Sequence, residues 1–79
     1  MEYLATFYTH VAAIKYYKII TARGITAETM PVPRRFSSSC GIGVKFVTRQ
    51  DIRNLIFGEV EKIFQLGDNE KLIYDSETV

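Results

Sequence analysis

The chain has 79 residues, 47% apolar and 24% charged, with ten basic and nine acidic side chains. That length holds one domain, residues 1–79, and a net charge of +1 gives no basic field for nucleic-acid binding. No apolar run reaches the roughly 20 residues that span a bilayer, and the opening Met1-Glu-Tyr-Leu does not read as an export signal, so a cytoplasmic protein off the membrane is expected.

Residues 3–8, Tyr-Leu-Ala-Thr-Phe-Tyr, are aromatic and apolar and predict a first strand. Thr9 then caps a helix from His10 to about Arg23, stopped by Gly24. Ala13, Tyr17 and Ile20, flanked by Ile14, form its buried stripe, with Lys15, Lys18 and Arg23 facing water. Ile25 to Val32 predicts a second strand, held to a sheet edge or ended by Pro31 and Pro33. Gly41 to Val47 predicts a third, with Ile42, Val44 and Phe46 on one face.

Thr48 with Asp51 resembles a capping box, opening a second helix from Arg49 to about Gln65. Ile52, Leu55, Ile56, Val60 and Ile63 would be its core stripe, widened by Phe57 and Phe64. After a turn at 66–69, Lys71 to Tyr74 predicts a final short strand, and the last residues, 75–79, are expected to fray.

The order β-α-β-β-α-β is that of an α+β, two-layer, ferredoxin-like sandwich: a mostly antiparallel four-stranded sheet with two helices on one face. The other face would lie open, with Tyr3, Tyr8 or Phe7 adding apolar surface, and would accept a second copy in a homodimer. The first crossover makes strands one and two parallel. It therefore brings the helix start, Thr9 and His10, to the same rim as the connection that carries Arg34 to Cys40.

That connection is the most unusual stretch of the chain: Pro31-Val-Pro-Arg-Arg-Phe-Ser-Ser-Ser-Cys-Gly-Ile-Gly43. Cys40 is the one cysteine, so it makes no internal disulfide. Serines before it and Gly41 after it shield the sulfur poorly, while Arg34, Arg35 and a nearby helix start would favour thiolate over thiol. The competing reading is a semi-buried structural cysteine at a strand start. Arg34 and Arg35 read either as an anion or thiolate partner or as solvated, carboxylate-paired surface charge.

Ser37, Ser38 and Ser39 with Gly41 and Gly43 could form an anion-binding nest, although no phosphate-loop ending follows. His10 would suit a Cys-His pair, but no third group orients it, and one Cys with one His leaves a metal site two ligands short. Neither a metal nor a cofactor is implied. Phe36 reads as an anchor for a partner.

At Pro31-Val-Pro-Arg34 followed by Cys40-Gly41, the chain resembles a small prokaryotic family of selenium/sulfur-carrier-like proteins, and the likeness covers nearly all of it. The motif falls on Pro33, Arg34, Cys40 and Gly41. Arg35 departs from it, and the chain lacks the Cys-Pro pair at a helix start of sulfurtransferase-type carriers. The resemblance implies a carrier or accessory protein rather than a stand-alone enzyme. Cys40 would hold a persulfide or selenopersulfide between a protein donor and a protein acceptor, with Arg34, Ser39, Gly41, Thr9 and His10 around it. The alternative is a binding module whose 33–43 loop recognises an anion or a peptide, with Cys40 incidental.

Overall fold

Residues 1–37 and 39–78 are described by the computed structural model. Among them, one α-helix packs on a five-stranded antiparallel sheet. The elements are β1 (Glu2–Phe7), α1 (His10–Ala22), β2 (Thr26–Pro31), β3 (Ile42–Val47), a 3₁₀ turn (Ile52–Leu55), β4 (Val60–Leu66) and β5 (Lys71–Asp75), with strand order β2-β3-β1-β4-β5. Both β1 and β2 pair antiparallel to β3, which makes them parallel to each other, as the first crossover requires. Thr9 caps α1, its hydroxyl accepting from Ala12 N–H at 3.1 Å.

The ferredoxin-like arrangement of four strands and two helices is overturned by the second half. No helix spans 49–65. Instead Asp51 caps the 3₁₀ turn by accepting from Arg53 N–H, and Thr48 accepts from Gln50 N–H rather than opening a helix. Gly58 follows at φ +65°, a left-handed conformation that breaks helical continuation. The β-branched and aromatic run from Val60 then enters the sheet beside β1. The predicted final strand is present as β5, paired to β4 in a hairpin. Ser76 N–H donates to the Glu61 carbonyl at 2.8 Å, Thr78 N–H donates to the Asp75 carbonyl, and Tyr8 shares a hydrogen bond with Ser76 Oγ. Val79 lies outside the described residues.

The main core lies between the sheet and α1. Tyr3, Ala5 and Phe7 of β1 face Ala12, Ala13, Tyr16 and Ile20, together with Val44, Phe46, Leu55, Val60 and Ile63. Ala13 and Ile20 are buried as expected, but Tyr16 with Ala12 completes the helix stripe, and Tyr17 is only partly buried at its edge. The Tyr16 hydroxyl donates to the Leu55 carbonyl at 2.8 Å, and burial pushes its phenol well above the ordinary tyrosine range. Tyr3 and Phe7 thus line the helix side, not the open side. The opposite face carries Leu4 and Thr6 and is covered in part by Val32, Phe36, Ser37 and Ser39 of the chain itself.

Asp51 also holds Arg53 through contacts of 2.6 to 3.2 Å, and these hydrogen bonds lower its carboxyl to about 2. A depressed folded-state value means the unfolded chain binds the proton first, so this contribution is present above about pH 4 and fades as pH falls toward 2. Thermal melts should therefore show the gap between wild type and Asp51→Ala closing across that window.

Candidate functional site

The segment joining β2 to β3 is a closed loop. Val32 N–H donates to the Gly41 carbonyl at 3.0 Å and ties its two ends, while Phe36 and Ser37 N–H donate to the Pro33 carbonyl and turn its tip. Phe36 is 7% exposed and meets the Phe64 ring edge-on at 4.7 Å, so it anchors the loop to β4 rather than waiting for a partner. Arg35 lies over the Phe36 ring and pairs with Glu70 at 2.9 Å, an engaged surface charge. Gly43, buried in β3 opposite Thr6, sits directly beneath Val32.

Under this loop lies a group the sequence did not single out. In the β1–β4 pairing Thr6 faces Lys62 and Phe7 faces Val60, which leaves Glu61 as the extra residue of a β-bulge. The bulge turns the Glu61 side chain inward, where the residue is 6% exposed. Its Oε1 accepts from Thr6 Oγ1 at 3.1 Å and Ser37 Oγ at 2.5 Å, and its Oε2 accepts from Ser39 Oγ at 2.9 Å. Ser39 N–H in turn donates to Ser37 Oγ at 3.2 Å. Three hydroxyl donors satisfy a carboxylate whose burial would otherwise be costly.

Cys40 follows this cluster directly. Its thiol is free and half-buried, and it lines a shallow depression with Val32, Arg34, Ser37 and Gly41. The described ion pairs engage Arg35, Lys45 and Arg53 but not Arg34. Gly41 is exposed, and a Cβ there would meet nothing within 4 Å. His10 lines a neighbouring depression with Thr29, Met30, Pro31, Gly41 and Ile42. The two depressions meet at Gly41.

The expected gathering at one rim is therefore partial. Arg34 and Cys40 share a surface, and His10 stands next to it without lining it. The Thr9 hydroxyl is engaged in capping α1, and the Ser39 hydroxyl points to Glu61 instead of serving the sulfur. Ser37 likewise donates to Glu61, and Gly43 is packed beneath Val32, which removes two members of the supposed nest; Ser38 lies outside the described residues. Glu61 and Thr6 were missed. The faint signal for them was an acid set among β-branched and aromatic residues just after Gly58.

No helix among the described residues is long and apolar enough to cross a membrane. No curated protein and no solved structure matches the chain. One family model does, over residues 2–65, a span that runs from β1 through the 32–41 loop to Gln65 in β4. Its description is "Putative Se/S carrier protein-like". With more than half of its length matched, Cys40 and the loop that presents it included, the chain belongs to the Se/S carrier-like family.

Proposed function

We propose that the protein carries sulfur, or selenium in the same way, on Cys40 and hands it between protein partners. The observation that carries this reading is a free, partly exposed thiol on a closed loop beside Arg34, in a chain of that family. The Cys40 thiolate attacks the outer sulfur of a donor persulfide. A new S–S bond forms at Sγ, the donor's S–S bond breaks, and the donor leaves as a thiolate with the electron pair. An acceptor thiolate or other nucleophile then takes the outer sulfur and releases Cys40. No net oxidation or reduction is needed.

A carrier must not discharge its own cargo, and a chain with one cysteine has no second thiol to attack the persulfide. Arg34, at the same depression, supplies positive charge where a thiolate and an incoming persulfide anion must meet. The anion-binding alternative loses the Ser37 and Ser39 hydroxyl donors to Glu61.

Intact-mass measurement after incubation with cysteine persulfide should show the gain of one sulfur atom, reversed by a thiol reductant and missing in Cys40→Ser. Arg34→Ala should slow the gain several-fold. A wild-type protein that takes up no sulfur, or a Cys40→Ser variant that takes up as much, would remove the carrier function.

A further inference from the structure

We propose that Glu61 is the positioning residue for Cys40: its carboxylate clamps the hydroxyls of Ser37 and Ser39 to the sheet and so fixes the cysteine that follows. The inference rests on the carrier reading for its purpose, but its geometry stands apart from that reading.

The clamp is closed. Ser37 has one hydroxyl proton, and it goes to Glu61 Oε1; its lone pair receives Ser39 N–H, which can only donate. Ser39's hydroxyl proton goes to Glu61 Oε2. One carboxylate therefore grips two residues of the loop, while Thr6 Oγ1, 0% exposed in β1, holds Oε1 from the sheet side. The backbone that enters Cys40 is tied to β1 and β4 on one side, and its exit is tied by Val32 N–H to the Gly41 carbonyl.

The β-bulge explains why an acid stands here. A regular β4 would alternate its side chains between the two faces. The extra residue re-aims Glu61 toward Thr6 and the loop, and Val60 still enters the main core. Surface presentation of a reactive atom on a loop calls for this kind of support, because a cysteine on an untied loop samples many orientations relative to a docked donor. The Thr6 and Ser37 contacts to Glu61 are buried and those of Ser39 part-buried, so the clamp is held most firmly on its sheet side.

The test compares Ser39→Ala, Ser39→Thr and Glu61→Gln with wild type in two measurements: amide hydrogen exchange, and sulfur uptake on Cys40 from cysteine persulfide. Ser39→Ala removes one strut at an exposed position and should leave the fold intact. It should speed exchange at the Ser39 and Val32 amides about fivefold, the weight of one net hydrogen bond, with the β1 and β3 amides unchanged. Sulfur uptake should fall by a similar factor.

Ser39→Thr, which keeps the hydroxyl, should restore both readings. Glu61→Gln should weaken both, because its amide nitrogen cannot accept from Ser39. Unchanged exchange at Ser39 and Val32 in both Ser39→Ala and Glu61→Gln would overturn the clamp. So would a loosened loop that takes up sulfur at the wild-type rate. If the wild type takes up no sulfur, the carrier reading falls, and exchange alone then decides whether Glu61 holds the loop.

Discussion

Gly43→Ala is expected to destabilise the protein by about 1–3 kcal/mol, the range for overpacking a filled interior. A Cβ at this position would stand 2.6 Å from Val32 Cγ2, 2.7 Å from the Ala5 carbonyl oxygen and 3.2 Å from Leu4 Cδ1. Val32 can swing aside, but the Ala5 oxygen belongs to the backbone of β1, which pairs with β3 at this level. Relief therefore means parting two central strands or lifting the loop. For a domain of this size each kcal/mol moves Tm by roughly 4–8 °C, so the effect is easily read in a melt. Gly41→Ala is the control: its new methyl group meets open space, and the change should stay within about 0.5 kcal/mol. If both variants melt with wild type, the loop is not seated on β3 as described.

The same variant has a functional side. Val32 is both the atom group above Gly43 and the donor that closes the loop on Gly41. Displacing it loosens the exit side of Cys40 while leaving the Glu61 clamp on the entry side in place. Sulfur uptake in Gly43→Ala should therefore fall, at temperatures well below its Tm, without the loss of the Ser39 amide protection that Ser39→Ala produces.

The first half of the chain was legible because its local signals agree with one another. Thr9 is a cap in sequence and in structure, and β1, α1, β2 and β3 follow in the expected order. From that order alone Arg34 and Cys40 could be placed together, since both lie in one short segment. The second half misled for an identifiable reason. Leu55, Val60 and Ile63 are buried at spacings that mimic a helical stripe, yet Leu55 reaches the core from a 3₁₀ turn, and Val60 and Ile63 reach it from a strand. The bulge at Glu61 shifts the strand's alternation by one residue, which hides the period of two that would have exposed it. Glu61 itself was out of reach for a related reason. Its hydroxyl partners lie 55, 24 and 22 residues away in sequence, and only the bulge brings them to it.

Leu55→Ala is the second large effect, about 2–5 kcal/mol, and it bears directly on that misreading. Leu55 is 0% exposed in the main core, and its carbonyl receives the Tyr16 hydroxyl. Tyr16 in turn stacks on Phe57 at 4.8 Å and lies 5.0 Å from Phe7, so the 3₁₀ turn is fastened to α1 by a side chain, a hydrogen bond and a ring. Tyr16→Phe keeps the ring and removes the donor, leaving a buried carbonyl unsatisfied at a cost of about 1–3 kcal/mol. Leu55→Ala keeps the carbonyl that accepts from Tyr16, but both substitutions loosen the same turn, so the double variant should depart from the sum of the single losses. Ile56→Ala provides the contrast. On a helix of residues 49–65, Ile56 would share the core stripe with Leu55 and cost as much, whereas here it is only half-buried and should cost clearly less. Equal losses at 55 and 56 in denaturant melts would bring back the helical stripe and displace the turn-and-strand arrangement that puts Glu61 beneath the cysteine loop.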